Sequence, residues 1–140
     1  MNAQDIRDEL LGQHEALRTQ IARTRRDIEA WSRGELEPLQ MRKEVDDLSS
    51  AMRKHNLREE ELLGDVIRLG DGSEPWRVTM DERHRDEHAE LNTALALKGA
   101  AMDVEPAAWE FVMKQLLGQL LEHMTHEEKY FINADVLRNP

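Results

Sequence analysis

The stretch Leu48-Ser49-Ser50-Ala51-Met52-Arg53-Lys54-His55-Asn56-Leu57-Arg58-Glu59-Glu60-Glu61-Leu62 carries both the fold and the chemistry of this chain. Leu48, Met52, His55, Glu59 and Leu62 recur at alternating steps of four and three, the spacing that lines one face of an α-helix. Met41 and Val45 extend the stripe upstream, and Val66 and Leu69 extend it downstream. The apolar members alone set the register, yet His55 and Glu59 fall on it. A helix of this length buries such a stripe only against partner helices.

Three partners are legible. A first helix near 3–32 presents Leu10, His14, Leu17, Ile21, Thr24, Ile28 and Trp31. The second, near 37–69, is the one quoted above. A third, near 80–98, takes its register from Leu91, Leu95 and Met102, extended back through His88 and His84. A fourth, near 105–132, shows Trp109, Met113, Leu116, Leu120, His123, Glu127 and Tyr130, with Ala134 and Leu137 beyond. Gly34 with Pro38, the run Gly70-Asp71-Gly72-Ser73-Glu74-Pro75, and Gly99 with Asp103 and Pro106 punctuate the chain between them. Thr79-Met80-Asp81-Glu82 reads as a capping box, and Pro38 and Pro106 suit the first turn of a helix. Four helices joined by short breaks predict an all-α, up-down-up-down four-helix bundle. It should form a single domain over 1–140 with its core at about 10–131.

Composition narrows the chemistry. The chain has 140 residues, 39% hydrophobic and 34% charged, with six histidines and no cysteine. Without cysteine there is no disulfide framework, zinc finger or thiolate iron–sulfur site. Nineteen Lys+Arg against 29 Asp+Glu give a net charge of −10, which argues against nucleic acid and anionic membrane as partners. The run Arg23, Arg25, Arg26 is offset by Asp27 and Glu29 and reads as an exposed face. Met1 to Ile6 has no basic and apolar leader pattern, and no apolar run is long enough to span a bilayer. A soluble, cytoplasmic protein is expected.

Five of the six histidines and two glutamates therefore sit on stripes that a bundle buries. Unpaired, each charged group would cost several kcal/mol, more than a domain's margin absorbs repeatedly. They must neutralise one another or surround a cation. As many residues separate His14 from the end of its helix at 32 as separate the next helix start at 37 from His55. At about 1.5 Å per residue the two histidines stand at one height and should face each other. Imidazole and carboxylate without thiolate suit iron or manganese, with zinc and copper also open on ligand type.

The second half echoes the first. His14-Glu15-Ala16-Leu17 is followed later by His88-Ala89-Glu90-Leu91, and His55-Asn56-Leu57-Arg58-Glu59-Glu60 by His123-Met124-Thr125-His126-Glu127-Glu128. On these motifs the chain resembles the hemerythrin-like, or HHE cation-binding, family over roughly residues 10–131. The resemblance implies a four-helix bundle carrying two iron ions, a di-iron centre with a bridging oxygen. It makes His14, His55, His88 and His123 nitrogen ligands and Glu59 and Glu127 the bridges. His84 with His88 matches the H-x-x-x-H pair of the oxygen carriers, so His84 is a candidate fifth nitrogen; its other reading is a surface position near a helix start. One departure is clear: the carriers place an Asp five residues after the last histidine, whereas Glu127 follows His123 at four and Glu128 at five.

Two six-coordinate ions need about twelve bonds, and this full set supplies about eleven, leaving one position for O2, NO or peroxide. Without His84 a second position opens, which suits peroxide chemistry better. The leading expectation is a protein that binds O2 or a related small ligand for sensing, storage or delivery. One alternative is a di-iron enzyme of oxidative or nitrosative stress acting in peroxide decomposition, ferroxidase activity or iron donation. Another is a metal-free helical interaction module. Around the site, His126 reads as solvated, and Glu60 and Glu128 as facing solvent or a helix boundary. Glu15 and Glu87 read as surface charges and Tyr130 as a core filler.

Overall fold

The computed structural model describes the backbone of residues 2–69 and 75–132 and the side chains of residues 2–64 and 82–132. The side chains of the stripe positions Val66 and Leu69, the positions Ala134 and Leu137 and the break at 70–74 lie outside the described residues. Four helices follow one another, α1 (Ala3–Ser32), α2 (Pro38–Leu69), α3 (Pro75–Ala100) and α4 (Pro106–Tyr130), and the described residues contain no strand. No described helix is long and apolar enough to cross a membrane.

Local chemistry sets the ends. Asn2 caps α1, its Oδ1 accepting from the Asp5 amide at 2.8 Å. At the other end Gly34 adopts φ 74°, which places the Glu35 amide 2.8 Å from the Ala30 carbonyl and closes the helix. Proline begins each later helix, where its missing N–H would have no partner anyway. Glu105 supplements Pro106 by accepting from the Ala107 and Ala108 amides. Here one expectation is corrected: α3 starts at Pro75 and not near 80. Thr79 and Glu82 thus lie within the helix, because Pro75 plays the part of Pro38 and Pro106.

Each helix packs on two neighbours in a closed ring, α1 on α2, α2 on α3, α3 on α4 and α4 on α1. This is the up-down-up-down bundle. Every α1 stripe residue from Leu10 to Ile28 is buried, and Trp31 is half-buried. The stripe of α2 is buried from Met41 to Leu62, and that of α4 from Trp109 to Glu127. Tyr130 departs from expectation. It is 44% exposed, since α4 ends there and the helical period ends with it. Phe131 and Ile132 turn inward instead.

The apolar core is split in two. A large cluster contains Leu17, Ile21, Ile28, Leu48, Met52, Leu95, Met113 and Leu120. A smaller one joins Ala3, Ile6, Leu10, Leu62, Leu63 and Ile132. The histidines and glutamates occupy the layer between them, so apolar side chains close the polar layer along the bundle axis at both ends.

Close approach of α3 to α2 depends on Gly99. A Cβ there would lie 2.5 Å from Val45 Cγ1, and Val45 is itself core. Gly99→Ala should lower stability by about 1–3 kcal/mol, read as a shift in the denaturation midpoint.

Candidate metal centre

All seven residues expected on sequence grounds converge. His14 on α1, His55 and Glu59 on α2, His84 and His88 on α3, and His123 and Glu127 on α4 are buried, none more than 9% exposed. Imidazole rings of His14 and His55 face each other at 4.8 Å, as their equal heights require. His84, His88 and His123 group on the other side, with ring centroids 4.1–5.6 Å apart.

The two glutamates lie between these groups. Glu59 sets Oε2 2.9 Å from His55 Nε2 and 3.2 Å from His14 Nε2, and Oε1 2.7 Å from His84 Nε2. Glu127 sets Oε1 3.3 Å from His14 Nε2. Its Oε2 lies 3.0 Å from His88 Nε2, 3.3 Å from His123 Nε2 and against His84 Nε2. Each carboxylate thus spans both imidazole groups. Two sets of ligand atoms fall within 4.8 Å: His14, His55, Glu59 and Glu127, and His84, His88, His123 and Glu127.

Four buried atoms here, His55 Nε2, His123 Nε2, Glu59 Oε1 and Glu127 Oε1, have neighbours at ion-pair distance but no hydrogen bond of acceptable geometry. Buried polar atoms are rarely left so. Their donor set, imidazole nitrogen and carboxylate oxygen converging on a common space, fits cations.

Electrostatics in the polypeptide itself agree. Burial works against the imidazolium of His14, but hydrogen bonds to Glu127 and Glu59 outweigh it and raise its pKa from 6.5 to about 10. His84 and His88 are raised to about 9 and about 10 by the same contest. Burial and Glu127 both push Glu59 upward, yet His14, His55 and His84 hold it well below the usual carboxylate range. Burial likewise acts to raise Glu127, and contacts with Glu59, His123, His14 and His84 prevail and lower it.

A surrounding shell orients the rings. His14 Nδ1 donates to Glu128 Oε2 at 2.7 Å and His55 Nδ1 to Gln13 Oε1 at 2.7 Å. His88 Nδ1 donates to Glu60 Oε1 at 3.1 Å, and His123 Nδ1 lies 3.4 Å from Glu87 Oε2. With Nδ1 donating outward, Nε2 is the nitrogen that points inward, able to bind a cation once any proton on it is displaced. Glu60 and Glu128 are therefore not simply solvent-facing, and Glu87 reaches a ring, whereas Glu15 stays on the surface. Phe131, at the C-cap of α4, stacks on His84 at 4.6 Å. Sequence reasoning missed Gln13 and Phe131 altogether. The doubled Glu-Glu after each His-x-x-x motif was the signal for Glu60 and Glu128.

These contacts repeat by halves. Glu60 of α2 serves His88 of α3, and Glu128 of α4 serves His14 of α1. Gln13, just before His14, serves His55, and Glu87, just before His88, serves His123. Symmetry breaks at one ligand position: four residues before His88 stands His84, and four before His14 stands Leu10.

The two least buried of the five gathered imidazoles, His55 and His123, each line a surface groove. One of about 710 Å³ between α1 and α2 reaches His55 past Gln13 and Leu17. An acidic one of about 470 Å³ between α3 and α4 reaches His123 past Glu87, Glu90 and Glu122. His126 lines the acidic groove and is exposed, as expected.

Neither a curated protein nor a solved structure matches the chain. The family model for the hemerythrin HHE cation binding domain matches residues 5–134. With nearly its whole length matched, and with histidine–glutamate clusters that fit a metal site, the chain belongs to the hemerythrin HHE cation-binding family.

Proposed function

We propose that this chain is a non-haem di-iron protein that binds O2, or a related small ligand such as NO or peroxide, for sensing, storage or delivery. One observation carries the reading: both buried glutamates offer one oxygen to the His14/His55 group and the other to the His84/His88 group. Such a pair of carboxylates suits two cations side by side. His14 and His55 would hold one iron, His84, His88 and His123 the other, with Glu59 and Glu127 shared. When bound, two irons would supply open coordination positions for a small ligand and the two electrons that O2 takes up on binding.

The polypeptide's part is positioning and exclusion of water. Glu128, Gln13, Glu60 and Glu87 fix ring orientation, and apolar clusters on both sides keep bulk water from the layer. A five-imidazole set leaves room for one small ligand, which favours binding over turnover as the main role.

The test is iron quantification with visible spectroscopy on wild type and His84→Ala. Wild type should hold two irons per chain and gain new visible absorption when the anaerobically reduced protein meets air, reversed on removing O2. His84→Ala should keep much of its iron and lose the reversal. Sub-stoichiometric iron in wild type after anaerobic loading, or no spectral change in air, would overturn the reading.

A further inference from the structure

His126 and Tyr130 have no part in the proposed centre, yet a line of aromatic rings joins them to it. Tyr130 lies 4.5 Å from His126, His126 lies 6.2 Å from Phe131, and Phe131 stacks on His84 at 4.6 Å and 16°. The line begins at a phenol 44% exposed and ends at an imidazole 1% exposed, pressed against Glu59 and Glu127. Neighbouring π-systems couple electronically better than saturated side chains do. Of the rings in the line, a phenol gives up an electron most readily, because its proton can leave at the same time.

We propose that Tyr130 is an oxidation site, the residue from which the loaded centre draws an electron through His126 and Phe131 when hydrogen peroxide arrives without an external reductant. This rests on the di-iron reading above. Peroxide takes up two electrons and two protons as its O–O bond breaks, giving two water molecules. When the bound cations provide only one of those electrons, Tyr130 provides the other. Its phenol also releases a proton to solvent, leaving a neutral phenoxyl radical. The Lys129 ammonium 5.2 Å from the ring centroid opposes a positively charged ring, so electron and proton leave together. Two such radicals on two copies of the chain then join at ring carbons as dityrosine, with the displaced ring hydrogens returning to the phenol oxygens.

The chain is well suited to an unambiguous test, because Tyr130 is its single tyrosine. Of the three tryptophans, Trp31 and Trp109 pair with each other about 20 Å or more along their helices from His14 and His123, and the side chain of Trp76 lies outside the described residues. Protein loaded anaerobically with ferrous iron, its content measured, is oxidised by one electron per pair of irons and then given one equivalent of hydrogen peroxide, so that the cations can supply only one of the two electrons. Freeze-quench paramagnetic resonance should show a phenoxyl signal, followed by dityrosine fluorescence and a covalent dimer on denaturing gels. Tyr130→Phe should abolish all three with iron content unchanged. His126→Leu and Phe131→Leu, which keep the tyrosine and interrupt the rings, should each lower the yield several-fold. Equal yields in both ring variants would assign the damage to radicals in bulk solution and overturn the inference. A chain that binds iron, reacts with peroxide and leaves Tyr130 intact also overturns it, alone. A chain that takes up no iron overturns the di-iron reading, and this inference with it.

Discussion

Replacing Glu127 with alanine is expected to lower the stability of the metal-free chain by roughly 3–5 kcal/mol, the usual cost of stranding the partner of a buried ion pair. That is a large part of a domain's margin of about 5–15 kcal/mol. Glu127 carries this weight because it belongs to both ligand sets and touches His14, His84, His88 and His123. Without it, His14, His84 and His88 lose the partner that does most to offset their burial. Metal content should fall from the two ions per chain of the proposed centre to one or none. Denaturant midpoints and metal analysis on one preparation check both parts, and Glu127→Gln separates the lost charge from the lost volume. Full metal content in the alanine variant would contradict the shared role.

Opposite pH slopes are expected for the metal-free and metal-loaded chain. His14, His84 and His88 have raised pKa values, so their stabilisation is complete below 6.5 and is lost as pH rises through about 9 to 10. Glu59 and Glu127 are lowered, so theirs is present above 4.5 and is lost as pH falls through their folded values. The metal-free chain should therefore be most stable between 4.5 and 6.5 and weaken steadily above. A cation needs the Nε2 lone pairs and must displace up to three protons. Each displaced proton is worth tenfold in apparent affinity per pH unit, up to about a thousandfold in all near neutrality. Chelator competition at two pH values a unit apart measures the affinity slope, and thermal melts with and without metal measure the stability slopes. An affinity independent of pH would exclude proton displacement at these imidazoles.

The fold and the inner residues were legible because both follow from one periodicity. On α1 the step of three and four places His14 and Thr24 among leucines and isoleucines, and they are buried with them. Misreadings came where two local signals competed or where the period stopped. At α3 the apparent capping box at 79–82 competed with Pro75, and the proline sets the start. At α4 the stripe extrapolates to Tyr130, but the helix ends there and the ring that packs inward belongs to Phe131. The orienting shell was harder still. Gln13, Glu60, Glu87 and Glu128 sit one residue off the buried stripe. Whether such a residue points to water or across to the next helix depends on how each helix is rotated about its axis, which spacing alone does not encode.

The repetition by halves has a mechanical consequence. Divide the chain between α2 and α3, and each half owns the imidazoles that the proposed centre assigns to one cation but not the full carboxylate set. Glu127 of the second half reaches His14 of the first, and Glu59 of the first reaches His84 of the second. A filled centre would act as a suture stitched through both halves. Prying the two hairpins apart would then require releasing the ions.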